Sequence, residues 1–280
     1  MQPSRELNLD LLHREVASCS IGHLVDYHRS VASTMPIAHA LARQPDVASG
    51  ALVVAEKQTS GRGRLQRSWE TPHGVALLTS FIIKPPHLPA NPWQLPMLAG
   101  LAVRSAIIAV CPECDQQAGL KWPNDILLGP DFSRAAKVAG ILVETSYLDG
   151  EMSYAILGIG INVNQQPSEL PAISAGAPQP TSLSIFVGHE IDRTILLAAL
   201  CQQIERYVQK VSPEELFAQW RAILYTLGQR VVVNTRAAGE ETTLIGIASD
   251  VTADGELILE SDTGDYHHIS VGDVTSVRTP

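Results

Sequence analysis

Cysteine is scarce in this chain, 4 among 280 residues, and only Cys111 and Cys114 stand close together. A structural zinc needs a second pair of ligands, and neither another CxxC nor an HxxxH supplies one, so no structural zinc is expected. The pair closes an apolar, helix-like run instead of following a strand, which favours two reduced thiols over a redox motif. Basic residues are also in deficit: 20 Lys and Arg face 29 Asp and Glu, a formal net charge of −9. Such a surface is not suited to neutralising a phosphate backbone, so nucleic acid is not expected as a main partner. No apolar run approaches the ~20 residues that span a bilayer. The first twenty residues contain Arg5, Glu6, Asp10, Arg14 and Glu15 and no apolar core segment, so no signal peptide is read and a cytoplasmic location is expected. None of the 9 histidines falls at a ligand spacing. What is abundant is apolar: 45% of the residues, enough for one large or two modest domains.

Leu7, Leu11, Leu12 and Val16 recur at helical intervals and predict a short amphipathic helix over 7–16. A strand over 23–28, a helix entered through Ser33-Thr34 and an apolar strand over 51–55 follow. Residues 57–72 are polar and punctuated by glycine, predicting a long loop before a strand over 75–83. Helical spacing predicts a buried helix over 94–110. Residues 120–128, 137–145 and 154–163 read as strands, the last two joined into a hairpin through Tyr147-Leu148-Asp149-Gly150. Pro167, Pro171, Pro178 and Pro180 make 165–180 an irregular loop, and helices resume over 192–211 and 213–225. Beyond that, short β runs at 230–234, 242–247, 256–259 and 266–269 alternate with turns such as Asp254-Gly255 and Thr263-Gly264, the texture of a small barrel or sandwich. The expected organisation is a body over 1–225 built on a mixed sheet with helices, followed by an all-β module over 226–280.

Four segments carry chemistry. Between Lys57 and Ser68 four cations and no acid occur in an otherwise acidic chain. A solvated basic loop is the plain reading of such a run. Here, however, Gly61 and Gly63 interleave with Arg62 and Arg64, so backbone N–H groups can approach an anion while guanidinium groups grip its oxygens. Trp69 adds a flat apolar face. The arrangement suits a polyphosphate plus an acid, yet lacks the GxxxxGK[ST] spacing of a P-loop. Lys121-Trp122-Pro123-Asn124-Asp125 is good turn chemistry, and its ammonium and carboxylate also suit a phosphate and Mg²⁺. Lys137, followed by Ala139 and Gly140, is either an edge gatekeeper or an ammonium over a small-walled pocket. Gly158 and Gly160 alternate along one strand and strip one face of side chains, for packing or for a flat ligand.

In this order, Gly61-Arg-Gly-Arg-Leu-Gln-Arg-Ser-Trp69, Lys121 to Asp125, Lys137-Val-Ala-Gly-Ile-Leu-Val-Glu144 and Gly158-Ile-Gly-Ile-Asn162 resemble the GRGRxGRxW, KWPND, KxAGILVE and GxGIN elements of the biotin protein ligases, which attach biotin to carboxylase subunits. The likeness runs from about Ser33 to the C-terminus. It implies an α+β fold: a mixed β-sheet with helices, class II synthetase-like, plus a small C-terminal SH3-like β-barrel. It implies that Ser33, Thr34 and Gln58 contact the biotin rings, that Gly61, Gly140, Gly158 and Gly160 line the slot, and that Arg62, Arg64 and Lys137 carry the catalysis around biotin's carboxylate. Arg67, Trp69, Lys121, Asn124, Asp125 and Asn162 would handle ATP and, through its phosphates, Mg²⁺. Gly272-Asp-Val-Thr-Ser-Val-Arg278 resembles the family's closing GExSLR segment and adds Arg278. Two departures are Met35 in place of asparagine and Gln66 in place of glycine. The implied reaction forms biotinyl-5′-AMP and then transfers biotin to a lysine of a biotin carboxyl carrier protein of acetyl-CoA carboxylase. About 32 residues precede Ser33, too few for the winged-helix domain of repressor members, so DNA binding is not expected. A homodimer through sheet edges is the assembly considered. Two rivals are a lipoate ligase and a non-catalytic biotin-binding module. The GRGR loop and the spacing of the second and third motifs weigh against the first, and the retained cations against the second.

Overall fold

A computed structural model of the chain describes residues 6–64, 67–172, 177–237 and 240–276. Asn8 caps the first helix, α1 (Leu9–Glu15), by accepting from the Leu11 N–H. Strand β1 (Val25–His28) precedes α2 (Thr34–Ala42), whose start is fixed by the Ser33 hydroxyl. Then come β2 (Leu52–Ala55), β3 (Ala76–Ile83) and α3 (Gln94–Val110), the last with the bounds its periodicity predicts. Strands β4 (Ala118–Lys121), β5 (Asp125–Leu128), β6 (Ala136–Leu148) and β7 (Glu151–Asn162) complete one sheet.

That sheet has seven strands in the order β1-β2-β3-β7-β6-β5-β4, antiparallel except for the parallel β1–β2 pair. Successive side chains point to opposite faces. Leu52 and Val54 therefore join a large core with Leu95, Val103 and Leu197, while Val53 joins a smaller one with Met35 and Ala38 of α2. The large core is covered by α3 and α5 (Arg193–Gln209), backed by α6 (Pro213–Ala222). In the β6–β7 hairpin Asp149 and Gly150 both take positive φ, as a tight two-residue turn requires.

Three features differ from the expectation. Residues 120–128 are two strands, not one: Lys121 pairs with Asp125 across a turn at 122–124. Pro123 has no N–H to give a ladder, and the Trp122 N–H goes to the Thr226 hydroxyl at 2.9 Å. A short helix, α4 (Leu183–Val187), follows the proline-rich loop, capped by Ser182. The C-terminal module has a fifth strand. Its strands β8 (Arg230–Ala237), β9 (Glu240–Val251), β10 (Leu257–Ser261), β11 (Tyr266–Ile269) and β12 (Gly272–Ser276) form an antiparallel sheet ordered β11-β10-β9-β8-β12.

The base of the long loop after β2 is fixed by a buried ion pair. Glu56 is fully buried and meets Arg193 at 2.7 Å, while its other oxygen accepts from the Leu7 N–H and the Tyr27 hydroxyl. Burial, and then the Glu56 charge, push the Tyr27 phenol up to about 12. All four cysteines are free thiols. A hydrogen bond between Cys111 and Cys114 lowers the first thiol's pKa and raises the second's. No described helix is long and apolar enough to cross a membrane.

Candidate active site

The α2-facing side of the sheet, the N-terminus of α2 and the 57–72 loop enclose a cavity of about 270 Å³. Its apolar end is made by Met35, Leu78 and Leu142 beside a short polar row. Thr34 gives its backbone N–H to the Gln58 side-chain Oε1 at 2.8 Å, and its hydroxyl lies 3.1 Å from that oxygen and 2.8 Å from the Ser80 hydroxyl. Sequence reasoning missed Ser80, because an isolated serine in an apolar strand leaves no motif. Ser33 lines the same end, doubling as the α2 cap.

The glycines explain the cavity's shape. Gly140 and Gly160 are cross-strand partners, and Gly158 pairs with Leu142, so all three face the same side. A Cβ on Gly160 would lie 2.7 Å from the Trp69 ring, and one on Gly158 would lie 2.7 Å from the Met35 sulfur. The bare strand face, read from the sequence as serving either packing or a flat ligand, receives the protein's own indole and thioether, which become the cavity wall. The Trp69 indole N–H is buried without a hydrogen-bond partner among the described residues, a donor left for an acceptor in the site. Gly61 does not line the cavity. A Cβ there would meet the Trp69 carbonyl oxygen at 2.4 Å, and the Trp69 N–H donates to the Gly61 oxygen at 2.8 Å, so this glycine closes the loop on itself.

The other end is a lattice of charge. Asp125, on the β4–β5 hairpin, accepts from the Lys137 ammonium at 2.6 Å and meets Lys121 at 3.6 Å. Asp273, on β12, meets Lys121 at 3.6 Å with one oxygen and pairs with Arg67 through the other. Arg64 donates to the Asn124 side-chain oxygen at 3.2 Å, and Asn124 is itself held by donating to the Ile141 oxygen at 2.6 Å. Arg62 lines the same cavity, exposed, without a carboxylate partner among the described residues. Lys137 also stands 5.5 Å from the Trp69 ring centroid. Burial lowers the Arg64 pKa, with Asp125 and Asp273 pulling the other way. Burial alone would raise the Asp125 carboxyl, but Lys137, Lys121 and Arg64 together hold it below the ordinary value. Five cations, Arg62, Arg64, Arg67, Lys121 and Lys137, thus line the cavity with three carboxylates, Asp125, Asp273 and Glu70, leaving a net positive pocket suited to a polyanion.

All predicted site residues except Gly61 and Arg278 therefore meet at one cavity: Ser33, Thr34, Gln58, Arg62, Arg64, Arg67, Trp69, Lys121, Asn124, Asp125, Lys137, Gly140, Gly158, Gly160 and Asn162. Arg278 and Gln66 lie outside the described residues. The Asn162 amide is engaged locally, donating to the Thr181 oxygen at 3.0 Å and accepting from Gln165 at 2.8 Å, so it ties down the proline-rich loop. Asp273 was missed, although its Gly-Asp sits inside the C-terminal motif. Both carboxylates are engaged by cations, and no group of three or more metal-ligating side chains occurs among the described residues, so these side chains do not build a resident Mg²⁺ site.

Residues 27–162 match the biotin/lipoate A/B protein ligase family, and residues 226–275 match the biotin protein ligase C terminal domain. The chain is 36% identical over 247 residues to the bifunctional ligase/repressor BirA of Bacillus subtilis, spanning 86% of this chain and 70% of that protein. It is 33% identical over 232 residues to the biotin–[acetyl-CoA-carboxylase] ligase of Mycobacterium tuberculosis, 82% of this chain and 80% of that one. Among solved structures, the biotin protein ligase of Aquifex aeolicus in complex with biotin and ATP superposes with a TM-score of 0.69 at 26% identity, covering 92% of this chain and all of that one, 100%.

Proposed function

This chain belongs to the biotin/lipoate A/B protein ligase family as a biotin ligase, and we propose that it joins biotin to ATP in the cavity described above before passing biotin to a carrier protein. In the first step a biotin carboxylate oxygen attacks the α-phosphorus of ATP, forming biotinyl-5′-AMP and releasing pyrophosphate. In the second, the amine of an acceptor lysine attacks the acyl carbon, an amide forms, a proton is lost from nitrogen and AMP departs. The acceptor is a biotin carboxyl carrier protein, the partner implied by the names of the relatives. Residues 1–225 are the catalytic unit and 226–280 a separate β module that contributes Asp273.

The observation that carries this reading is the polarity of one cavity, with an uncharged hydrogen-bonding and thioether-lined end at Thr34, Gln58 and Met35, Thr34 being backed by the buried Ser80, and a cationic end at Arg64, Arg67, Lys121 and Lys137. Biotin's neutral bicycle suits the first end. Its carboxylate and the ATP phosphates suit the second. The chemical problem of step one is repulsion between two anions, and preorganised cations lower it by stabilising charge that grows on the α-phosphate oxygens. Lys137 and Arg64 stand at the boundary between the two ends and act at the reacting carboxylate and phosphate, with Arg62 closing from the loop. Trp69 covers the glycine-lined wall, and its free N–H donates to a ligand oxygen. Any Mg²⁺ arrives with the ATP phosphates, where it offsets their charge. The reading is tested by incubating the protein with biotin, ATP and a purified carrier domain. The carrier is expected to gain the mass of one biotinyl group. Equal modification with lipoate, or none with either acid, would contradict it.

A further inference from the structure

Lys121 and Asp125 owe their separation to the turn at 122–124, and that turn is held from outside the catalytic sheet. The Trp122 indole N–H donates to the Gly255 carbonyl at 2.9 Å, and the Trp122 backbone N–H donates to the Thr226 hydroxyl at 2.9 Å. Trp122 and Thr226 are both fully buried. Gly255 belongs to the β9–β10 turn of the C-terminal module and takes φ +76°, and a Cβ there would come within 2.9 Å of the Trp93 ring beside α3. Gly255 therefore packs closely against Trp93 while its carbonyl accepts from Trp122. The chain entering the module is stitched to β4 as well, with the Leu120 N–H donating to the Ile223 oxygen at 2.8 Å and the Tyr225 N–H to the Leu120 oxygen at 2.9 Å. One residue from this joint, Lys121 reaches across to Asp273 of the module.

From this geometry we infer that Trp122 is a positioning residue for nucleotide binding: it registers the C-terminal module against the β4–β5 hairpin, so that Asp273, Lys121 and Arg67 meet at one point. Trp122 is absent from the cavity wall, so it acts only through its neighbours. A lateral slip of the module would separate Asp273 from Lys121 and Arg67 while leaving Thr34, Gln58 and Ser80, on the opposite side of the cavity, in place. The inference rests on the reading that the cationic end takes the ATP phosphates.

Two variants remove one bond each with little change of shape. Trp122→Phe keeps an aromatic ring and loses the N–H; Thr226→Val keeps the volume and loses the acceptor. Steady-state pyrophosphate release gives KM for ATP and for biotin separately, with thermal unfolding run alongside. Both variants are expected to raise KM for ATP at least fivefold and leave KM for biotin within twofold, and Thr226→Ser is expected to restore the wild-type value. A purely structural role would lower the unfolding temperature and leave both KM values alone. That result, or a parallel rise in both, overturns the inference. Should Trp122→Phe fail to fold, Thr226→Val and Thr226→Ser decide the question. A wild-type protein with no biotin-dependent pyrophosphate release would instead overturn the functional reading, and this inference with it.

Discussion

Replacing Lys137 with methionine separates two roles that one ammonium plays. In the structure it lies 2.6 Å from a buried Asp125 carboxylate whose remaining close cation, Lys121, is 3.6 Å away. Removing it leaves Asp125 under-compensated but not unpaired, so the cost belongs with that of a partly unsatisfied buried group, about 1–3 kcal/mol of folding stability. The catalytic loss is a separate quantity. A preorganised charge aimed at the developing negative charge of a transition state is worth ~2.7–4 kcal/mol, or roughly 10²–10³ in rate. Urea unfolding reads the first number, and single-turnover pyrophosphate release at saturating biotin and ATP reads the second. The double variant Lys137→Met with Asp125→Asn removes the stranded charge and is expected to recover most of the stability, while the rate stays low. A single variant within threefold of the wild-type rate would refute the reasoning. A double variant that regained the rate would do so equally, because Lys137 would then be only a counter-ion.

Three further outcomes are expected. Gly160→Ala places a methyl 2.7 Å from the Trp69 ring and displaces it, which should cost ~1–3 kcal/mol in urea unfolding and weaken binding of ATP in titration calorimetry. Thr34→Val keeps the side-chain shape but leaves the Gln58 and Ser80 groups short of a partner, so biotin affinity should fall by ~1–3 kcal/mol in calorimetry, with KM for ATP little changed. The Asp125 carboxyl is held below its ordinary value, so its contribution to stability is fully present above its unfolded value of ~3.9 and is lost as pH falls through the lower folded value. Melting temperature in the wild type should therefore drop more steeply below about pH 4 than in Asp125→Asn, and parallel curves would count against that assignment.

Periodicity was enough to place α3, whose apolar residues are buried along most of its length, and the β6–β7 hairpin, whose Asp149-Gly150 turn announces itself chemically. It misjudged 120–128 as one strand although Pro123-Asn124-Asp125 is good turn chemistry, because Leu120 and Ile126–Leu128 are all buried and the apolar runs on either side do not themselves reveal a reversal. The motif residues were legible through the resemblance of four ordered segments to the biotin protein ligases, since each segment alone has an ordinary use as a solvated loop, a turn, an edge lysine or a packing face. Their roles were less so. Nothing in a linear string shows that Gly61 makes room for a carbonyl, that the Gly158 and Gly160 faces meet Met35 and Trp69, or that Asn162 anchors a loop. Ser80 and Asp273 were invisible for a related reason: each matters through a partner distant in sequence, Thr34 in one case and Arg67 with Lys121 in the other.

The most direct test of a single cavity joining two anions is a quenched-flow measurement of pyrophosphate released when the wild-type protein meets biotin and ATP with no acceptor present. The account predicts a burst of about one pyrophosphate per protein molecule that depends on biotin, followed by slow turnover while biotinyl-5′-AMP stays bound. Biotin and ATP that each bind yet yield no biotin-dependent burst would contradict it.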